Sequence, residues 1–596
     1  MTASEKLITD NLDIWASVIR HKSNAGRGRS KKTELYGIQK LRALILDLAV
    51  SGLLVSQDPN DESAEKLLAK ITTEKERLAK EGKIKKARNS KVAAVTPEKT
   101  LPLGWSHCTL SDISEIVRGI TFPASEKSRT LEEGRVACLR TSNVQEHIEW
   151  DDILYIREEF VKREDQYILQ NDIVMSMANS RELVGKVAAI SSMPESKTTF
   201  GGFLGVIRPI IADSGFITCL LRSPKIRQEL IESASQTTNI ANISLAKLKP
   251  LILALPPLKE QHRIVAKVDE LMALCDQLEQ QTEASIAAHQ TLVETLLGAL
   301  TNAPDHASFQ QAWQRIAEHF DTLFTTEHSI DQLKQTILQL AVMGKLVPQN
   351  SREEPATILL ERIAAEKKAL GIKASNSPME LNGEDPIFDP PNGWQWCLLG
   401  DLALHSEAGW SPKCEEIPRE GNNWGVLKVS AVTWGNFNPY ENKQLPQNLA
   451  PRPEYEVKSG DFLISRANTA ELVARSVVVG HTHQDNLMIS DKIIRFSFST
   501  NVLPDYINLV NNSPRSRSYY LRVAGGTSSS MKNVSRRQIQ NLPIPLPPLL
   551  EQKRIVQKVE ALIDFCDRLN NNICNLKSQQ ARIAMAIASE AKKKWN

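Results

Sequence analysis

Isoleucine, valine and leucine recur in alternating steps of four and three along two proline-free stretches. The first follows Pro256-Pro257 and reads Ile264, Val268, Leu271, Cys275, Leu278; the second follows Pro547-Pro548 and reads Ile555, Val559, Leu562, Cys566, Leu569. Steps of this kind are the a/d seam of a coiled coil. A proline pair suits a helix entry. No proline follows before about residue 300 or 594, so each stretch predicts a helix of about 40 residues, roughly 60 Å long. Shorter helical patterns occupy 36–50, ending near Gly52, and 62–81; 330–343, with Gly344 in the matching place, and 353–370 mirror them. Segments 101–254 and 391–545 differ. They carry short β-type runs (Asp172–Ser176, Phe203–Arg208, Asp461–Ser465, Lys492–Ser497) between Gly, Pro and Asn turns, with helical stretches at 215–233 and 504–523.

These patterns repeat. LPPLKEQHRIVAKVDELMALCDQLE at 255–279 returns as LPPLLEQKRIVQKVEALIDFCDRLN at 546–570, identical at 15 of 25 positions. LRALILDLAVSGLLVSQ (41–57) returns at 333–349, GWSHCTLSD (104–112) at 393–401, and DIVMSMANSRELV (172–184) at 461–473, all at offsets of 289 to 292. The chain is a tandem duplication, with a period far too long for a solenoid. Between the matched segments, 113–171 and 402–460 share little. One frame carries two different interiors, as two recognition modules with different targets would, or two duplicated domains that have simply diverged. Residues 1–100 read as a displaced copy of 300–390, so the two chain ends together complete one frame. If the long helices pack antiparallel, a pseudo-two-fold axis relates the modules, an arrangement suited to two half-sites on opposite DNA strands.

The 596 residues carry a net charge of +3 and 41% hydrophobic side chains, which excludes a wholly disordered chain. Nothing is long and apolar enough to span a membrane, and the N-terminus lacks a signal-peptide layout; a cytoplasmic protein is expected. Eight scattered cysteines without a CxxC read as reduced thiols. Charge is uneven: residues 1–100 are net +7, and 490–545 hold Lys492, Arg495, Arg515, Arg517, Arg522, Lys532, Arg536 and Arg537 against Asp491 and Asp505. Such local basic fields suit phosphate contacts as well as a solvated surface. The basic loop His21–Lys32 has no counterpart in the second copy and reads as an exposed loop or an arm on phosphate.

Catalytic constellations are not found. There is no P-loop, HExxH or zinc-type Cys/His spacing. Asp389-Pro390-Pro391 approaches an amino-methyltransferase motif, but Asn392 stands where the aromatic is needed. Glu195-Ser196-Lys197 fits only the tail of a nuclease motif, and Phe200-Gly201-Gly202 is too short for a cofactor loop. What the modules offer is polar and basic side chains beside small ones: Arg140, Thr141, Ser142, Asn143, Asn179, Arg181 and Gln236-Thr237-Thr238-Asn239 in the first; Lys428, Ser430, Arg466, Asn468, Gly526-Thr527-Ser528-Ser529-Ser530 and Lys532 in the second. Arg, Lys, Asn and Gln read guanine and adenine edges, and Ser and Thr suit phosphate. The set, and no single member, is the candidate DNA surface. A self-contained methyltransferase or nuclease, and a coiled-coil scaffold with protein-binding modules, are the alternatives.

The layout resembles the specificity subunit of type I restriction-modification enzymes. The resemblance rests on Leu101-Pro102-Leu103-Gly104-Trp105 with Pro391-Asn392-Gly393-Trp394, on LPPLxEQxRIVxKV at 255–268 and 546–559, and on GKLVPQ at 344–349 with its copy at 52–57. It covers nearly the whole chain. It implies an α+β fold: two target recognition domains joined by two long helices packed as an antiparallel coiled coil, with pseudo-two-fold symmetry. The domains expected are an N-terminal helical region (1–100, partner of the C-terminal helix), recognition domain 1 (101–254), a central helical spacer (255–390), recognition domain 2 (391–545) and a C-terminal long helix (546–596). It further implies a non-catalytic subunit on double-stranded DNA. Two adenine methyltransferase subunits, holding S-adenosylmethionine, would dock on the helices, and restriction and translocation subunits would join; no metal, membrane or cofactor of its own is implied. A related restriction-modification complex lacking the motor is the near alternative.

Overall fold

The computed structural model describes residues 3–22, 32–84, 101–194, 196–236, 240–372, 388–433, 435–480, 484–526 and 531–593. The described residues divide into two units: those within 3–22, 33–284 and 577–593 form one, and those within 285–576 the other. The two long helices are Leu258–Thr301 and Leu549–Lys593. Each unit thus takes the opening part of one long helix and the closing part of the other. No helix among the described residues is long and apolar enough to cross a membrane.

The first unit is held together where its matched sequence segments meet. Helix Tyr36–Val50 ends at Gly52, whose φ of +70° suits glycine; a Cβ there would lie 2.7 Å from the Pro102 ring. Trp105 and Gln57 both donate to Glu260 Oε1, across 3.1 and 3.2 Å, and Glu260 is itself fully buried near the start of the long helix. Arg263 pairs with Asp61 at 2.7 Å. On the seam Ile264, Val268, Leu271 and Cys275 are buried and Leu278 is half-buried. Arg42 of the short helix clamps Asp276 and Glu279 of the long one at 2.6 and 2.7 Å. Helix Leu12–Ser17 approaches so closely that a Cβ on Gly37 would strike the Trp15 carbonyl.

The second unit repeats these joints. Gly344 (φ +68°) would bring a Cβ within 2.5 Å of the Pro391 ring, Gln349 donates to Glu551 across 3.2 Å, Arg554 pairs with Glu353, and Lys334 with Asp567 at 2.5 Å. Ile555, Val559 and Cys566 are buried, with Leu562 and Leu569 packed against the same core. That core also takes in Leu333, Ile337 and Leu340 of helix Glu327–Val342 and Val293, Leu297 and Leu300 of the other long helix. The seam therefore faces a helical layer that includes a short helix from its own unit. The four-three spacing reports this layer, which is wider than the bare two-stranded contact that the spacing alone suggests.

Both modules have one strand plan. A short antiparallel pair closes each: Ser106–Thr109 with Ile252–Leu255, and Gln395–Leu398 with Pro543–Leu546. An antiparallel sheet runs Ser114–Arg118, Leu204–Pro209, Ile173–Ser176, Val187–Ala189 in the first. The second runs Ala403–Ala408, Ile493–Phe498, Phe462–Ser465, Ser476–Val478. A second sheet sets Arg135–Leu139 between parallel Thr198–Phe200 and antiparallel Leu154–Arg157; Gly425–Leu427 lies likewise between Leu487–Met488 and Asn442–Gln444. Interiors with little common sequence thus keep the same strand order. The helical stretches 215–233 and 504–523 each break at a Ser-Pro step, giving Ser214–Arg222 and Pro224–Ser233, and Pro504–Asn512 and Pro514–Val523. Proline cannot donate to the preceding turn but suits the first position of the next helix.

Candidate nucleic-acid interface

Each module carries a small antiparallel ribbon on which several candidate residues meet. In the first, Ala178–Asn179 pairs with Ala241–Asn242, which pairs with Ser235–Gln236. Arg181, exposed on the turn after Asn179, reaches Gln236 at 3.5 Å. The Asn179 side chain accepts from the Ser180 amide and donates to Ser176, which fixes its orientation. In the second, Ala467–Asn468 pairs with Lys532–Asn533, and Asn533 bridges back to Gly525. Asn468 accepts from the Thr469 amide and donates to Thr433 at 3.3 Å. Lys532 donates to the Gly526 carbonyl at 2.7 Å. Thr237, Asn239, Thr527 and Ser528 lie outside the described residues. A two-stranded antiparallel ribbon such as that of the second module can enter the major groove of B-DNA; the ribbon of the first module has a third strand, Ser235–Gln236.

The remaining candidates sit elsewhere in their modules. Asn143 corrects the sequence reading: it is 1% exposed, donates to the Glu149 and Asp152 carbonyls and accepts from the Arg140 amide. Both its amide protons and one lone pair of its oxygen are taken within the turn and the side chain is buried, so it offers no edge to a base. Arg140, half-buried, is paired with Asp152 at 2.6 Å; Ser142 beside it is exposed. In the second module Ser430 donates to Glu441 at 2.6 Å, and Lys428 stands 4.0 Å from the same carboxylate.

The basic field at 490–545 is smaller than its count implies. Arg495 is buried between Glu407 and Asp461, at 2.5 and 3.0 Å. Arg517 is sunk against the Val473, Ala474 and Asn511 carbonyls, where burial pulls its pKa down to about 10. Arg515 stacks over Trp396 and Phe388. These three hold the fold. Lys492, Arg522, Arg536 and Arg537 are exposed. Asp491 lies next to Lys492: burial works against its ionisation, yet the Ser411 hydroxyl, Lys492 and Arg466 together hold its pKa below the usual carboxylate value.

The ribbons also bring in residues that the sequence reading passed over. Met177 donates its amide to the Phe203 carbonyl at 2.8 Å, and Arg466 donates to the Lys492 carbonyl at 2.8 Å. Ile243 then donates to the Met177 carbonyl at 2.8 Å as Val534 does to that of Arg466 at 2.9 Å. Met177 and Phe203 therefore occupy the backbone places of Arg466 and Lys492. The constant offset of the repeat carries this signal, since 289 residues separate both pairs.

Comparisons with known proteins agree with this duplicated plan. The family described as Type I restriction modification DNA specificity domain matches residues 102–288 and again 391–577. The Type I restriction enzyme EcoEI specificity subunit of Escherichia coli is 38% identical over 99% of this chain and 100% of its own length. The EcoAI specificity subunit of the same organism is 35% identical over 98% of this chain and 99% of its own. A chain from a solved type I R-M system aligns over 83% of this chain and 98% of its own, at 18% identity and a TM-score of 0.46. With two matched domains and full-length relatives, the chain belongs to the family of type I restriction-modification specificity subunits, one DNA specificity domain in each half.

Proposed function

We propose that this subunit reads a split, asymmetric DNA sequence, one half with each module, while its long helices set the gap between the halves. The observation that carries the reading is the matched pair of ribbons. The backbone hydrogen bonds around Met177 and Arg466 match, and Asn179 and Asn242 have counterparts in Asn468 and Asn533, yet Met177, Arg181 and Phe203 stand where the second module has Arg466, Ala470 and Lys492. A frame that holds two different side-chain sets in one geometry is what two different half-sites require. Asn179, Arg181 and Gln236 would contact bases or phosphates in one half; Arg466, Asn468 and Lys532 would do so in the other, with Ser142, Lys428 and Ser430 as outlying contacts. Asn side chains suit adenine edges, and Arg and Lys suit guanine.

On this reading the subunit supplies no bond-making chemistry. Two adenine methyltransferase subunits, which hold S-adenosylmethionine, dock on its helical spacers, and restriction and translocation subunits complete a cytoplasmic complex. The relatives named as specificity subunits of type I restriction enzymes support this assignment of roles. Because the net charge of the chain is only +3, the grip on phosphate is shared with those partners, and affinity falls steeply with salt.

Mapping methylated adenines across the host genome, with the gene and with it deleted, tests the reading. The expected result is one bipartite motif, methylated in both halves, that disappears on deletion. Methylation unchanged by the deletion would contradict it.

A further inference from the structure

Phe203, 64% exposed, is the most exposed phenylalanine among the described residues. It follows Gly201 and Gly202, and a Cβ on Gly119 would strike the Gly201 carbonyl, so the turn is pressed tightly against its neighbour. The Phe203 carbonyl takes the amides of Met177 and Ala178, at 2.8 and 3.3 Å, which anchors the ring's backbone one step from Asn179. Ile240 and Leu183, both exposed, lie on the ribbon and on the turn that carries Arg181. The matching turn of the second module is pressed in the same way, with Gly409 against the Ile489 carbonyl, and it presents Lys492. At one backbone place, then, the first module pairs Met177 with Phe203, and the second pairs Arg466 with Lys492.

We propose that Phe203 is a specificity-determining residue whose ring contacts the 5-methyl group of a thymine in the half-site read by the first module. The proposal rests on the reading of that module as a DNA-recognition domain. Of the groups that base pairs show in the major groove, only the thymine methyl is apolar, and an apolar side chain is the complement it selects. The ring is not part of the module's buried core, which takes in Val117, Val174 and Val206 of the four-stranded sheet. The basic pair at the same place in the second module complements guanine acceptors instead, so the two modules would read different base pairs from a common scaffold.

The test is binding by the complex of this chain with its methyltransferase subunits, using duplexes in which each thymine of the first half-site is replaced in turn by deoxyuridine. Wild type should lose roughly fourfold in affinity at one position, the worth of one buried methyl-sized group. Phe203→Ala should bind the thymine and deoxyuridine duplexes alike at that position, and Phe203→Leu should keep part of the difference. Truncating so exposed a ring leaves the fold intact. The inference is overturned if Phe203→Ala keeps the full wild-type response, or if no thymine of that half-site responds. In either case a complex still selective for its site leaves the recognition reading standing; loss of that reading requires a first module whose exchange changes no half-site.

Discussion

Trp105, just before the first strand of its module, donates its indole N–H to the Glu260 carboxylate across 3.1 Å, tying the entry of that strand to the long helix that leaves the module. Glu260 also takes the Gln57 amide, so one buried carboxylate joins three segments far apart in sequence. Trp105→Phe keeps an aromatic ring, though a smaller one, and leaves the carboxylate one donor short. Chemical denaturation should show a loss of about 1–3 kcal/mol, the usual cost of an unsatisfied buried polar group. An unchanged midpoint would show that the indole N–H is not needed.

Burial pushes the Glu260 pKa up, against the pull of the Trp105 and Gln57 donors, and Glu551 is raised in the same way. A carboxyl whose folded pKa exceeds its unfolded value contributes stability that is present below the unfolded pKa. That contribution is lost as pH rises through the folded value. The wild-type chain should therefore lose stability as pH climbs from about 4.3, the unfolded value. The double variant Glu260→Gln, Glu551→Gln should flatten that decline in melting-temperature measurements; equal slopes would contradict it.

Two glycines should respond in opposite directions to alanine. Gly344 has a φ of +68° and the Pro391 ring 2.5 Å from where its Cβ would be. Gly344→Ala should destabilise by more than about 1 kcal/mol. Gly298 lies inside helix Leu258–Thr301 with nothing near its Cβ position, so Gly298→Ala should stabilise by about 0.5–1 kcal/mol. Thermal melts of both variants check the signs.

Arg466 sits on the second ribbon's scaffold, bonded through its backbone to Lys492 and Val534. Arg466→Ala in the assembled complex should weaken specific binding by about 1–3 kcal/mol and relax the preference at one position of one half-site. An unaltered site preference would remove it from the readout.

Much of the frame was legible in the sequence because it depends on period and on proline and glycine placement. The long helices begin where Pro257 and Pro548 allow, and Gly52 and Gly344 end the short helices at a positive φ. The shared strand order of the two interiors was not legible, because buried positions such as Leu139 and Leu427 constrain only apolarity and leave the rest of each strand free to diverge. The candidate site was legible in part. Asn179 and Arg181 sit together with Gln236, whereas Asn143 looked like a reader only because sequence does not show burial. Residue type alone also favoured Arg466 and hid Phe203, since an exposed phenylalanine reads as core until its surroundings are known.

If the long helices set the gap, inserting about one heptad after Gln280, and a matching one in the second helix, should lengthen the spacer of the recognised sequence while leaving both half-sites intact. Methylome sequencing of a strain carrying the variant reads both at once, and an unchanged gap with retained activity would contradict the spacer role.

The most direct measurement is the exchange of residues 101–254 for the corresponding segment of a related specificity subunit, followed by methylome sequencing of the host. One half of the methylated motif should change to that of the donor, with the other half and the gap retained. A motif altered in both halves, or in neither, would contradict the assignment of one half-site to each module.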